Sequence, residues 1–252
     1  MDTPRFDTLD LVNTGDQASQ RVLAPAKLTT SLSVVGVRSD GMHEIDAEMI
    51  TINLFDELVV SPGGSGVTIE GVAANSIDPS DNLVTRAGAL ANVEVGVHLH
   101  KRIPAGAGLG GGSADAAALL RWAGFDDVER SASIGADVAF CLVGGRARVR
   151  GIGEIVEPLP FIEQTFTIIS PPVHCSTPAV YAKWDAMGSP KGANGNDLEP
   201  AALAVAPELA ITRDLLGNAT GQTPRLAGSG SSWFVEGRFP EVGLVVDAIA
   251  AQ

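Results

Sequence analysis

The stretch Pro104-Ala-Gly-Ala-Gly-Leu-Gly-Gly-Gly-Ser113-Ala-Asp-Ala-Ala117 decides how this chain is read. Five of the seven residues from Gly106 to Gly112 are glycine, which lets the backbone take positive φ and approach a bulky group closely. The run Ala114-Asp-Ala-Ala-Ala-Leu-Leu120 that follows is a strong helix former. A flexible linker does not open directly into such a helix. The pattern predicts a helix from Ser113 to about Trp122 whose first N–H groups lack backbone partners. Those groups, at the positive end of the helix dipole, form an anion site that suits a phosphate.

Two other phosphate motifs compete for the same glycines. Gly106-x-Gly108-x-x-Gly111 matches the dinucleotide fingerprint, with Asp126 and Asp127 nearly far enough downstream to act as its acid. A fingerprint strand is buried on both faces and reads as a continuous apolar run. Val93-Glu-Val-Gly-Val-His-Leu-His100 instead alternates, as a half-buried antiparallel strand does. No Gly-Lys-Ser/Thr follows the glycines, which excludes a Walker loop.

The chain has 252 residues, 45% of them hydrophobic, enough for one large or two modest domains with a sizeable core. Its formal net charge of -13 disfavours nucleic acid and anionic membrane as partners. A phosphorylated ligand therefore needs its few cations concentrated locally. Cys141 and Cys175 form no paired motif and supply too few ligands for zinc; they read as buried free thiols. No apolar run reaches the length of a membrane helix. Met1–Gln20 lacks the basic start and apolar centre of a signal peptide and reads as a loosely ordered extension. The expectation is a cytoplasmic protein.

Along the chain, strands are expected at Leu28–Val37, at Glu48–Asn53 resuming at Leu58–Val60, and at Val67–Glu70. A helix capped by Ser80 or Asp81 runs to about Asn92. Gly135-Ala-Asp137-Val138 starts tight and continues apolar, and Arg146–Arg150 and Ile155–Val156 are strand material. Pro158 and Pro160 mark a boundary near residue 160. Phe166–Ile169 is a strand, and Thr177–Lys183 a short helix with Pro178 at its first position. Asn196-Asp197 caps the next helix. Leu226-Ala-Gly-Ser-Gly-Ser-Ser232 is a second glycine loop before a strand at Trp233–Val235, and Val242, Val245, Val246 and Ile249 share one face of a last helix. Strands and helices mix without a βαβ rhythm, which makes the class α+β.

Four separated segments, Pro25-Ala-Lys27, the 104–117 loop, Gly135-Ala-Asp137-Val138 and Gly228-Ser-Gly-Ser231, resemble the GHMP small-molecule kinases. Within that family they are most similar to the branch that phosphorylates the 2-hydroxyl of a cytidine diphosphate-linked alcohol. The likeness extends to Ala24-Pro-Ala-Lys27, Arg38-Ser-Asp-Gly-Met-His43, Asp81-Asn-Leu83, Pro171-Pro-Val173, Ser176-Thr-Pro178 and Asn196-Asp-Leu-Glu-Pro200, and spans roughly residues 22 to 235. The resemblance implies a two-domain GHMP kinase fold. It has an N-terminal domain like domain 2 of ribosomal protein S5 over 21–160, after the 1–20 extension, and a ferredoxin-like domain over 161–252. It further implies ATP with Mg²⁺ in the cleft between them, a small-molecule substrate and a monomer or homodimer.

The resemblance also implies roles. Asp137 accepts the proton of the substrate hydroxyl, and Lys27 holds that hydroxyl or the moving phosphoryl group; from the residues alone Asp137 also reads as a turn cap after Gly135. Asn82, Lys101 at the mouth of the loop, Pro104, Gly106, Gly108, Leu109, Gly110, Gly111, Gly112 and Ser113 hold the nucleotide. His43 at the base edge, Tyr181 on the base face, Thr177 and Pro178 hold the cytidine end, and Gly228, Ser229 and Gly230 the substrate phosphate. From the residues alone Asn82 also reads as a helix cap, Lys101 as a solvated strand-end charge, and Gly228–Gly230 as a turn between strands; the metal ligands are not assigned. The chain departs from the family pattern at Thr29, where an Asn is usual, at Met42, where an aromatic is usual, and at Ala227, where a Ser is usual. The 122–133 stretch is short and predicts one helix fewer. Two readings stay open beside the main one: a family kinase with a different alcohol, and a nucleotide-binding relative without turnover.

Overall fold

The computed structural model describes residues 10–12, 19–72, 74, 77–173 and 175–251. Two long strands dominate its first half: β2 (Ser19–Val37) and β3 (His43–Pro62) run antiparallel through the Arg38–Gly41 turn. Alternation at the tip of β2 gives way to continuous burial over Ala24–Thr29, as in a strand covered on both faces. The segments expected as Glu48–Asn53 and Leu58–Val60 are one strand, because buried Asp56 sits within β3 instead of ending it. Of the extension expected over residues 1–20, β1 (Asp10–Val12) and Ser19–Gln20 are strand, β1 pairing with β2; the remainder lies outside the described residues.

The first sheet is ordered β1-β2-β3-β5-β4, with β4 (Val67–Gly71) parallel to β5 (Val95–Lys101). β6 (Arg146–Gly151) pairs with the other half of β3 and with β7 (Ile155–Leu159). The helices α1 (Leu83–Ala91), α2 (Gly111–Trp122) and α4 (Val138–Val143) accompany this sheet; α2 packs on α1, α4 and β2. The short 122–133 stretch still contains a helix, α3 (Val128–Ser131), capped by Asp127 accepting from the Arg130 N–H. That cap accounts for Asp127 without a dinucleotide.

The second sheet begins at β8 (Thr165–Ile169) and is antiparallel throughout, in the order β11-β8-β10-β9 with β9 at Arg225–Leu226 and β10 at Trp233–Glu236. The last helix expected from the valine spacing is instead β11 (Leu244–Asp247). β-branched residues favour a pleated surface, and Gly243 allows the close approach that pairing with β8 requires: a Cβ there would lie 2.6 Å from the Ile168 carbonyl. Helices α5 (Thr177–Ala186), α6 (Glu199–Val205) and α7 (Leu209–Thr220) complete this half. Pro178 is the second residue of α5, one later than expected. Among the described residues no helix is long and apolar enough to cross a membrane. Cys141 and Cys175 are buried free thiols, as expected.

Two joints lock the halves together. The register of β2 with β3 breaks between Pro25 and Lys27, and there Ile52 of β3 bridges to Ala248 while Asn53 accepts from the Asp247 N–H at 2.8 Å. The second joint is Asn196-Asp197. As expected, Asn196 serves the start of α6, its Oδ1 accepting from the Leu198 N–H at 2.9 Å and its carbonyl from the Glu199 N–H. Leu32 also bridges to Asn196, and Asp197, rather than capping, accepts from the Val34 N–H at 2.9 Å.

Phe166 and Phe234, both fully buried, meet edge to face at 5.8 Å across β8 and β10. Phe166→Ala is expected to cost about 3–5 kcal/mol, read by urea unfolding with an unchanged m-value. A loss under about 1 kcal/mol would contradict a second sheet organised around this pair.

Candidate active site

A cleft of about 860 Å³ opens between the two sheets. Every site residue expected from the sequence lines it except Leu109 and Gly230. The Leu109 side chain is buried, and its carbonyl accepts from the Lys27 N–H at 3.0 Å. Gly230 packs under the second glycine loop against Cys175.

The glycine loop is shaped by close approach. Gly108 has φ +77, and a Cβ there would lie 2.2 Å from the Ala227 carbonyl, so the first loop nests directly on the second. Gly110 has φ +69 and is the cap position of α2 with no side-chain cap bond; the helix starts at Gly111, two residues earlier than expected. No acidic residue occupies its first turn. The first-turn N–H groups therefore have neither intrahelical nor side-chain acceptors and face the cleft at Gly111, Gly112 and Ser113. This is an anion site the chain does not fill itself.

Lys27 lies between the two loops. A Cβ on Gly110 would lie 2.7 Å from its Cγ, and one on Gly228 3.6 Å from its Nζ. Its side chain is 5% exposed. The ammonium donates to the Thr29 hydroxyl at 3.0 Å and pairs with Asp137 Oδ2 at 3.1 Å. Thr29, at the position where the family pattern has Asn, thus keeps an acceptor on Lys27. Asp137 occupies the cap position of α4 but makes no side-chain cap bond; its carboxylate turns to the cleft and Lys27 instead. Gly153, with φ +122, braces it from behind, since a Cβ there would lie 2.4 Å from the Ala136 carbonyl.

Asn82 takes the cap reading, and Lys101 lies deeper than expected. The Asn82 Oδ1 accepts from the Val84 and Thr85 N–H groups, and its Nδ2 donates to the Asp78 and Pro79 carbonyls. Its whole amide is spent as the cap of α1, a role expected of Ser80 or Asp81. Lys101 is not at the mouth of the loop but beneath it, 2% exposed, bonded to Asp56 and to Asp115 Oδ2. Asp56 also accepts from the Arg102 and Ile103 N–H groups. One ammonium faces two buried carboxylates, and Asp115 Oδ1 has no partner among the described residues. Burial pushes the Asp115 carboxyl up to about 8. This network was missed because its members are 45 and 14 residues apart in sequence; the one hint is Asp56 within an apolar strand.

At the far end of the cleft, His43 and Tyr181 meet with ring centroids 4.6 Å apart, and Trp184 presents an edge to His43 at 5.7 Å. His43 Nε2 is engaged by Asp185 Oδ1 at 2.9 Å, so this ring nitrogen is not free for a base edge as expected. Burial and the nearby Asp137 push the Tyr181 phenol up to about 12, which leaves it a neutral aromatic wall. Thr177 Oγ1 shares a hydrogen bond of 2.8 Å with Ser229 Oγ, tying α5 to the second loop. The Asn196 amide donates to the Leu226 and Gly228 carbonyls at 2.8 and 2.7 Å and holds that loop from behind.

The cleft thus combines an open helix N-terminus, a buried Lys27 paired with a part-exposed Asp137, and an aromatic end. A family model described as the GHMP kinases N terminal domain matches residues 80–145. A 4-diphosphocytidyl-2-C-methyl-D-erythritol kinase of Paracoccus denitrificans is 36% identical over 253 aligned residues, covering 92% of this chain and 89% of the relative. The chain belongs to the 4-diphosphocytidyl-2-C-methyl-D-erythritol kinase family. A crystal structure of such a kinase superposes with a TM-score of 0.73 at 31% identity, covering 91% of this chain and 99% of that one. A homoserine kinase from Cytophaga hutchinsonii shares the fold, with a TM-score of 0.60 at 19% identity over 96% of this chain and 98% of its own. The fold is therefore the α+β GHMP kinase fold, and the chain is a kinase of that family.

The buried carboxyl has a stability consequence. Asp115 keeps its proton in the folded state at pH values where the unfolded chain has lost it. Folding therefore gains from Asp115 below the ordinary carboxylate range and loses that gain as pH rises to about 8. Asp115→Asn removes this dependence. Thermal unfolding at pH 5 and pH 8.5 should show a smaller drop in the variant than in the parent protein; equal drops would contradict a protonated Asp115.

Proposed function

We propose that this chain transfers the γ-phosphoryl group of ATP to the 2-hydroxyl of 4-diphosphocytidyl-2-C-methyl-D-erythritol, a step of non-mevalonate isoprenoid synthesis. The observation that carries the reading is the Lys27–Asp137 pair, 3.1 Å apart, in one cleft with the open N-terminus of α2 and the His43–Tyr181 wall. The anion site suits the triphosphate, and the aromatic end suits a nucleobase. In the proposed assignment Pro104, Gly106, Gly108, Gly110, Gly111, Gly112 and Ser113 surround ATP, and Gly228 and Ser229 face the substrate phosphates.

Phosphoryl transfer passes through a loose transition state, so positioning and charge stabilisation matter more than base strength. Asp137 accepts the proton of the attacking hydroxyl. The Lys27 ammonium stays in place through Thr29 and Asp137 and meets the charge that develops on the moving group. With the first glycine loop packed against its stem and the second beside its ammonium, Lys27 needs little reorganisation when the reaction begins.

No cluster of three or more metal-ligating side chains exists among the described residues, which fits Mg²⁺ held mainly by phosphate oxygens and water. When bound, such an ion would supply charge neutralisation for the group being transferred. The chain's own part is the amide cradle of α2.

Incubation with Mg·ATP and 4-diphosphocytidyl-2-C-methyl-D-erythritol should yield ADP and the 2-phosphate by mass spectrometry. Asp137→Asn should keep ATP affinity and lose about 10²–10⁴-fold in turnover. No 2-phosphate from the parent protein, or near-normal turnover in the variant, would overturn the assignment.

A further inference from the structure

The aromatic end of the cleft contains a carboxylate that the family resemblance did not supply. Asp185 lies four residues after Tyr181 on α5, so the two side chains share a helix face, and both line the cleft with His43 and Met42. Asp185 Oδ1 is taken by His43 Nε2 at 2.9 Å. Among the described residues no donor engages Oδ2, and His43 is the only charged or titratable partner of this carboxylate. The Asp185 side chain remains 48% exposed, while His43 beside it is 12% exposed.

Cytosine and uracil have the same outline and differ at the ring edge. Cytosine carries an exocyclic amine, a donor, where uracil carries a carbonyl oxygen, an acceptor. A carboxylate has only acceptors to offer and pairs with the cytosine amine. Set against uracil it faces a second oxygen and loses its partner, which disfavours that base. Tyr181 and Met42 contact a flat ring of either kind, so they do not separate the two bases.

We propose that Asp185 determines base specificity: one carboxylate oxygen holds His43 against Tyr181, and the other accepts the exocyclic amine of cytosine. The inference rests on the cytidine end of the substrate occupying this part of the cleft, as in the function proposed above. Asp185 is then a specificity residue remote from the transferred phosphoryl group, acting on binding and not on the chemical step.

The test reads binding and so does not depend on turnover. With the nucleotide site filled by a non-hydrolysable ATP analogue, calorimetry compares CDP with UDP. The parent protein should prefer CDP by about 10–100-fold. Asp185→Ala should lose most of that preference, chiefly through weaker CDP binding. Asp185→Asn, whose amide can donate to the uracil oxygen, should also gain UDP affinity. Both variants should keep the parent unfolding temperature within a few degrees. A preference retained in both variants, equal loss of CDP and UDP affinity, or no preference in the parent protein would each overturn the role. A CDP preference that depends on Asp185 in a protein without kinase turnover would support the base reading while removing the proposed reaction.

Discussion

A buried ammonium needs an anion, and the Lys27 side chain, 5% exposed, sets the terms for the rest of this cleft. An uncompensated charge there would be expensive. Thr29 supplies one acceptor and Asp137 the counter-charge. Meeting that demand fixes much else. Asp137 turns away from capping its own helix, both glycine loops lack side chains where the lysine side chain passes, and the β2–β3 register breaks just before Lys27. The pair shares its cleft with the open N-terminus of α2. In an acidic chain of net charge -13, the open helix N-terminus and the Lys27 ammonium face anions from one place.

The supports around this pair are rigid and come from both halves of the chain. Asn196 holds the second loop through two carbonyls while its neighbour Asp197 binds β2. Gly108 lets the first loop nest on the second, and Gly153 lets the β6–β7 turn brace the backbone before Asp137. Beneath the first loop, Asp56 gathers Lys101 and two backbone N–H groups. Lys101 thereby supports the loop from below through Asp56 and Asp115. The cleft is a preorganised arrangement of dipoles and charges, which is what phosphoryl transfer asks of a protein.

How much of this was legible depended on whether a residue's role is local. The glycine loop was readable because positive φ and close approach demand glycine whatever lies nearby, and a helix former after it fixes the direction of the dipole. Asp137 and Lys27 were readable through resemblance, since their partnership spans the whole first half of the chain. The Lys101 network was not, because burial of a strand-end lysine depends on Asp56 and Asp115 arriving from elsewhere. Asn82 has a cap's residue type, so its local role outweighed an imported one. The valines before the C-terminus suit a helix face and a strand equally, and the vacancy beside β8 decided for strand. Asp185 was overlooked since an acidic residue on a short helix carries no signal until His43 is seen against it.

The central claim is that Lys27 and Asp137 act as one unit. A double-mutant cycle on kcat with Lys27→Met, Asp137→Asn and the double variant tests it most directly, each variant first shown to bind ATP. Residues that work as a unit are far from additive. The account predicts that the double variant is about as slow as the slower single variant. Losses that multiply in the double variant would show two independent contributions and contradict the account.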